Sequence, residues 1–385
     1  MADSAYLDLA GHEDVKDRLA RAISTGRLGQ SLLLYGPRGV GKQRLAIWSA
    51  AAINCRSDAP RPCGQCKSCR LAGRLEHPDI HWFFPLPRPK GASQPEALRR
   101  KLEDSRADAL AERRENRLYL DAEEGATGIY VAAVQTMRQL AYKAPAMGQF
   151  KVLIIGRAES LVPQAANPEA ANALLKLLEE PPADTTLILT SDVPGALLPT
   201  VRSRVQAIRV PPMPASLVAD FLSHSLDLSP AEADRLARLS AGSIGVALEL
   251  QDEDRERERA EAAVLVRAIL DGRPMAHLAV AHGYRSFGAR GSFSRVLAQT
   301  RALLRDLLAA STGADPSDPA AIASLGNRES LDQRLLVQAL DAVNTAADLA
   351  DRNVNPQLLV VNFLRQASVP LGGAALGRAG NTGGS

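Results

Sequence analysis

The eight residues Gly36-Pro37-Arg38-Gly39-Val40-Gly41-Lys42-Gln43 fit the phosphate-loop pattern GxxxxGK[ST] at every position but the last. In that pattern backbone N–H groups and the lysine face the phosphates of a nucleotide, and the closing hydroxyl ligates Mg²⁺. Leu32 to Tyr35 ahead of the loop read as a buried strand and Arg44 to Asn54 behind it as a helix, the setting that the motif requires. The bland alternative is a Gly-rich turn between a strand and a helix. Gln43 stands where the metal-ligating hydroxyl is expected, so nucleotide binding without turnover, as ATP or ADP, is the expectation for this loop.

The four cysteines all fall in one short stretch as Cys55, Cys63, Cys66 and Cys69. Four thiolates this close in sequence can surround a tetrahedral Zn²⁺, with Pro62 and Gly64 turning the chain around it. With all four ligands supplied by protein, no position stays open for water, and the metal is expected to be structural. A redox CxxC pair is the alternative, and it leaves two cysteines without a purpose. His77 and His81 lie nearby and are read as ordinary polar or core histidines.

With 385 residues the chain exceeds one ordinary core, and two or three domains are expected. The 46 Lys+Arg nearly balance the 43 Asp+Glu, which argues against a chain that binds nucleic acid by overall charge. No apolar run approaches the roughly 20 residues of a membrane span, and Met1-Ala2-Asp3-Ser4 does not begin a signal peptide, so the expected location is the cytoplasm.

Along the chain, Asp14 to Ser24 carries Val15, Leu19 and Ile23 at helical spacing. The stretch 85–125 is rich in Pro and then in mixed charge, and is expected to be an inserted, solvated helix with flexible ends. Tyr130 to Tyr142 has one apolar helical face, Lys151 to Ile155 reads as a short buried strand, Asn167 to Glu180 as an Ala/Leu-rich helix, and Thr186 to Thr190 as another strand. The alternation implies an α/β domain with a mostly parallel sheet covered on both faces. Beyond Pro214 helical periodicity takes over, and the Gly/Ala-rich end from 371 to 385 is expected to be disordered.

A hydrolysing P-loop enzyme also needs an acid at the end of a neighbouring strand to hold Mg²⁺ and a second to orient water. After Lys151 to Ile155 those places are Gly156 and Arg157, with Glu159 two residues further on. Both protein handles on the metal are missing.

The segments Gly11-His12-Glu13, the loop 36–43, the four-cysteine insertion, Asn172 to Pro182 (NALLKLLEEPP), Leu198 to Arg204 (LPTVRSR) and Asn353 to Leu358 (NVNPQL) together resemble the bacterial DNA polymerase III clamp loader, an AAA+ assembly. The resemblance implies an AAA+ P-loop domain at 1–212 bearing the zinc module (55–81), a helical lid at 213–252 and an all-α collar at 253–370. It also implies a ring with tau/gamma and delta subunits that places a sliding clamp on primer-template DNA. Within the family, Gln43, the pair Gly156 and Arg157, and Gly245 in place of the lid arginine point to the delta-prime type, which lacks ATPase activity. That type keeps the arginine of a Ser-Arg-Cys motif, here Ser203-Arg204-Val205, which implies that Arg204 acts as an arginine finger in trans on a neighbour's ATP, with Arg202 as runner-up. A surface ion pair is the alternative for Arg204. Thr190 matches the family's first sensor and is read as packing; Lys176 is not read as a site. Two other classes stay open: a hydrolysing tau/gamma-type ATPase, and a stand-alone zinc-containing nucleic-acid binder.

Overall fold

The computed structural model describes residues 6–57, 60–89, 91, 94–116, 118, 127–161, 169–251, 253–284, 292–325, 331–350 and 355–368. Contacts divide the chain into two compact units, Met1–Gln251 and Asp252–Ser385.

The first unit is built on β1 (Ser31–Tyr35), β2 (Ile80–Phe83), β3 (Leu86–Pro87), β4 (Thr127–Gly128), β5 (Lys151–Ile155), β6 (Thr185–Ser191) and β7 (Gln206–Arg209). Five of these form one sheet in the order β2-β5-β6-β1-β7, parallel throughout, while β3 and β4 make a small antiparallel pair. Every residue of β5 and β6 is buried, as expected of parallel strands covered on both faces. The pleat sends alternate residues to opposite layers. Leu32, Leu34, Val152 and Ile154 join one core with Val15, Leu19, Leu45 and Ile47, whereas Leu33, Leu153 and Ile155 join the other with Val134, Met137, Leu174 and Leu177.

Those layers are helical: α1 (Glu13–Ser24), α2 (Lys42–Ile53), α3 (Lys67–Gly73), α4 (Pro95–Glu115), α5 (Val131–Ala141), α6 (Glu169–Glu179) and α7 (Pro199–Arg202). A separate core of Val218, Leu222, Leu236 and Ala247 holds α8 (Ala215–Leu226), α9 (Pro230–Leu239) and α10 (Ile244–Leu250). The sheet order lays the carboxyl ends of β5, β6 and β1 side by side, with Tyr35 opposite Ser191 and Ile155 opposite Leu189. Ligands of open α/β sheets bind at that edge.

The inserted helix α4 is largely solvated, as expected, but it is also docked along one edge. Leu102 and Arg113 are buried, the Arg113 guanidinium lies 3.8 Å from the Phe84 ring centroid and 5.2 Å from that of Trp82, and Tyr6 Oη donates to the Arg113 carbonyl at 2.7 Å. A charge run conceals this packing, since an arginine can bury its stem and its planar cation against aromatic faces. Residues 119–126 of the insertion lie outside the described residues, as do Asn353, Val354 and the segment 371–385.

The second unit is all-helical: α11 (Glu253–Asp271), α12 (Pro274–His282), α13 (Ser292–Ser311), α14 (Pro319–Ser324), α15 (Gln333–Ala350) and α16 (Pro356–Ala367). Leu265, Ile269, Leu297, Leu304, Leu336, Val343, Val360 and Phe363 form its core. Among the described residues no helix is long and apolar enough to cross a membrane.

Candidate functional site

The loop between β1 and α2 turns through Gly39 and Gly41, whose φ of 74° and 99° lie in the left-handed region that glycine adopts without strain. Gly41 caps α2, and Lys42 opens it. The Lys42 side chain is only 5% exposed, and its ammonium donates to the carbonyls of Gly36 (2.9 Å) and Pro37 (2.5 Å) and pairs with Asp192 Oδ1 at 2.5 Å. A lysine has three donors. All three are committed inside the chain.

Asp192 follows the last residue of β6, and its N–H reaches Glu159 Oε1 at 3.3 Å. Sequence reasoning passed over Asp192. The available signal was a carboxylate directly behind a buried strand at the sheet edge that carries the loop. Beside it, Thr190 is buried and accepts from the Arg157 N–H at 3.0 Å, in keeping with its reading as packing. Gln43 turns toward β5: a Cβ built on Gly156 would stand 3.0 Å from its Oε1 and 3.2 Å from Trp82 Nε1. The glutamine thus borders the place where an acidic side chain would follow β5.

The helices α8 to α10 close over the loop from the other side. Gly245 N–H donates to Gly39 O at 2.9 Å, Ser243 Oγ donates to Arg38 O at 2.9 Å, and Arg38 pairs with Glu249 at 2.7 Å. A Cβ on Gly245 would lie 2.7 Å from Gly39 Cα, so this approach requires glycine at position 245. His12 Nε2 donates to Val40 O at 2.6 Å, and burial pushes its pKa below the ordinary 6.5 against the opposing pull of that carbonyl. Between the loop and these helices lies a mostly apolar cavity of about 110 Å³ edged by Leu9, Val40, Met213, Phe221, Ile244 and Leu248. The cation that would meet a nucleotide's phosphates holds a carboxylate here, so a phosphate reaches Lys42 only by opening its pair with Asp192.

The four cysteines come together, with their sulfurs all within 4.8 Å of one another. Sulfurs at 2.3 Å from a tetrahedral zinc lie about 3.8 Å apart, so the set fits such an ion. Cys66 caps α3 and accepts from Cys69 N–H, and Cys63 accepts from Cys66 N–H, each at 3.4 Å. Against the burial that opposes ionisation, the Cys66 and Gln65 amides bring the Cys63 thiol down to about 6, and the Cys69 and Arg56 amides likewise lower Cys66. Burial raises Cys55 and Cys69. His77 is turned elsewhere, bonding Ser68 Oγ at 2.8 Å and accepting from Asp79 N–H at 3.1 Å. Next to the module, the Asp79 carboxylate accepts from the amides of Ala146, Met147 and Gly148 (2.6, 2.7 and 2.6 Å), while Asn54 Oδ1 accepts from Gln149 and Phe150 (3.1 and 3.0 Å). The two ends of the cysteine segment thereby clasp the loop that leads into β5.

Arg204 sits in the turn between α7 and β7, remote in sequence from the loop. Its Nη1 donates to Thr200 O (2.9 Å) and Ser203 Oγ (3.3 Å), and its Nη2 pairs with Glu179 Oε1 at 2.7 Å, with the two side chains 35% and 44% exposed. The surface ion pair weighed as the alternative is therefore present in the free chain. Ser203 Oγ donates to Thr200 O at 3.1 Å, Val205 packs against the core, and Arg202 is exposed.

Residues 11–214, which hold the loop, the cysteine module and Arg204, match the family described as DNA polymerase III, delta subunit. The chain belongs to this family. A "DNA polymerase III subunit delta'" of Pseudomonas aeruginosa is 37% identical over 215 residues, 55% of this chain and 52% of that protein. A "DNA polymerase III subunit tau" of Salmonella typhimurium is 30% identical over 253 residues, 64% of this chain and 32% of that protein. The matches thus span about half and about a third of those relatives' own lengths. Among solved structures, a gamma subunit-related protein of Thermotoga maritima aligns at 15% identity with a TM-score of 0.42, covering 92% of this chain and 98% of that one.

Proposed function

We propose that the chain is a delta-prime-type subunit of a DNA polymerase III clamp loader that hydrolyses no ATP itself and presents Arg204 to ATP held by a tau/gamma-type neighbour. It works in the cytoplasm with tau/gamma and delta subunits to place a sliding clamp on primer-template DNA. The reading is supported above all by one contrast: Lys42 of the chain's own loop is sealed against Asp192, whereas Arg204 stands at the surface. Gln43, Gly156 and Gly245 point the same way, since they replace the hydroxyl that closes the loop, the acid expected directly after β5 and the lid cation. A guanidinium delivered to a γ-phosphate is worth about 10³ to 10⁵ in rate at the site it serves. Cys55, Cys63, Cys66 and Cys69 hold a structural Zn²⁺, which ties the segment between α2 and β2 to the body of the domain.

The test is ATP turnover. The pure chain shows no DNA-stimulated hydrolysis, and robust turnover by it would establish the hydrolysing tau/gamma-type reading instead. In an assembly reconstituted with tau/gamma and delta subunits, Arg204→Ala slows hydrolysis several-fold while leaving assembly intact, because only the site it faces is silenced. Unchanged loader kinetics would remove Arg204 from the mechanism.

A further inference from the structure

We infer that Glu179 is the positioning residue for Arg204, holding the guanidinium at the surface in a docked form before any neighbouring nucleotide meets it; this rests on the finger reading above. Glu179 is the last residue of α6, and Glu180 follows it. Carboxylates are disfavoured at that end of a helix, where the backbone dipole is negative, and Lys176 is the one cation in the turn. A charge placed against the dipole is stabilised by a cation from elsewhere in the chain. Here that partner is Arg204, 25 positions on by residue number, at 2.7 Å.

The geometry restricts the arginine from both sides. The Thr200 carbonyl and Ser203 hydroxyl hold Nη1, and Glu179 holds Nη2, so the planar group is gripped along its outer edge. A long side chain fixed in advance loses less rotamer freedom when it docks. The grip is also replaceable, because an ion pair this exposed is weak and screened by salt. A phosphate carrying more charge than one carboxylate can take the guanidinium over.

The experiment uses the reconstituted loader with Glu179→Ala, Glu179→Gln, Arg204→Ala and the double variant, each checked for assembly and melting temperature. Glu179→Ala is expected to lower kcat for ATP about threefold with KM unchanged. Glu179→Gln, which keeps an acceptor, recovers part of the rate, and Glu179→Ala adds nothing in the Arg204→Ala background. A wild-type or faster rate for Glu179→Ala, a raised KM as its sole effect, or an equal loss in both backgrounds would overturn the inference. If Arg204→Ala is slow and Glu179→Ala is normal, only the positioning role falls. If Arg204→Ala runs at the wild-type rate, the finger falls and the positioning role with it.

Discussion

Lys42 and Asp192 carry the chemical decision in the loop. A phosphate can enter only by displacing a carboxylate 2.5 Å from the lysine nitrogen, and the lysine is 5% exposed, so neither charge is freely exchanged with water. Asp192→Asn removes the counter-charge and leaves the ammonium with two carbonyls, at an expected cost of about 2 kcal/mol, below the full penalty of a wholly buried, broken pair because Asp192 is 19% exposed. Added ADP should then raise the melting temperature of the variant and leave that of the wild-type chain where it was. An ADP-dependent shift in the wild type would show that Asp192 yields readily. The loop lysine was legible from the GxxxxGK pattern, but its partner was not, since the two are 150 positions apart by residue number and only the β1–β6 pairing brings them together.

Among elements, α10 meets the loop with glycine against glycine. Gly245→Arg puts side-chain atoms into a space where even a Cβ stands 2.7 Å from Gly39 Cα. It should lift α10 away from the loop and raise amide exchange at Gly245 and Val246, with little change in the sheet. The cysteine segment makes a second link between elements. With the proposed zinc loaded on Cys55, Cys63, Cys66 and Cys69, a chelator is expected to free that segment and, through Asn54 and Asp79, to expose the amides of Ala146 to Phe150 to exchange. Exchange confined to the cysteine segment would show that the clasp stands without the ion. The cysteine spacing and the strands of the sheet centre were readable because apolar runs and ligand spacing are local signals. The edge strands β2 and β7 and the docking of α4 depend on partners far away in sequence, and local patterning does not register them.

At the scale of the whole molecule, acid acts through buried histidines in the first unit. Burial, with Arg106 and Lys151 adding to it, lowers His81 to about 4, Asp79 opposes the shift, and burial likewise lowers His12 and His77. Since these values lie below the ordinary 6.5, the unfolded chain takes up protons first as pH falls. Stability is therefore complete above about pH 6.5 and declines toward pH 4, with His81 contributing up to roughly 3 kcal/mol. Urea titrations at pH 7.5, 6 and 5 should show falling midpoints with the same slope, and His81→Phe should flatten the decline. A pH-independent midpoint would mean that these rings are hydrated in solution. The pairing of Lys42 with Asp192 has the opposite bearing on the surroundings. A protein that binds a ligand gains stability in proportion to the logarithm of that ligand's concentration. A loop that supplies its own counter-ion should lack that gain, so the first unit is expected to melt at the same temperature with and without ATP.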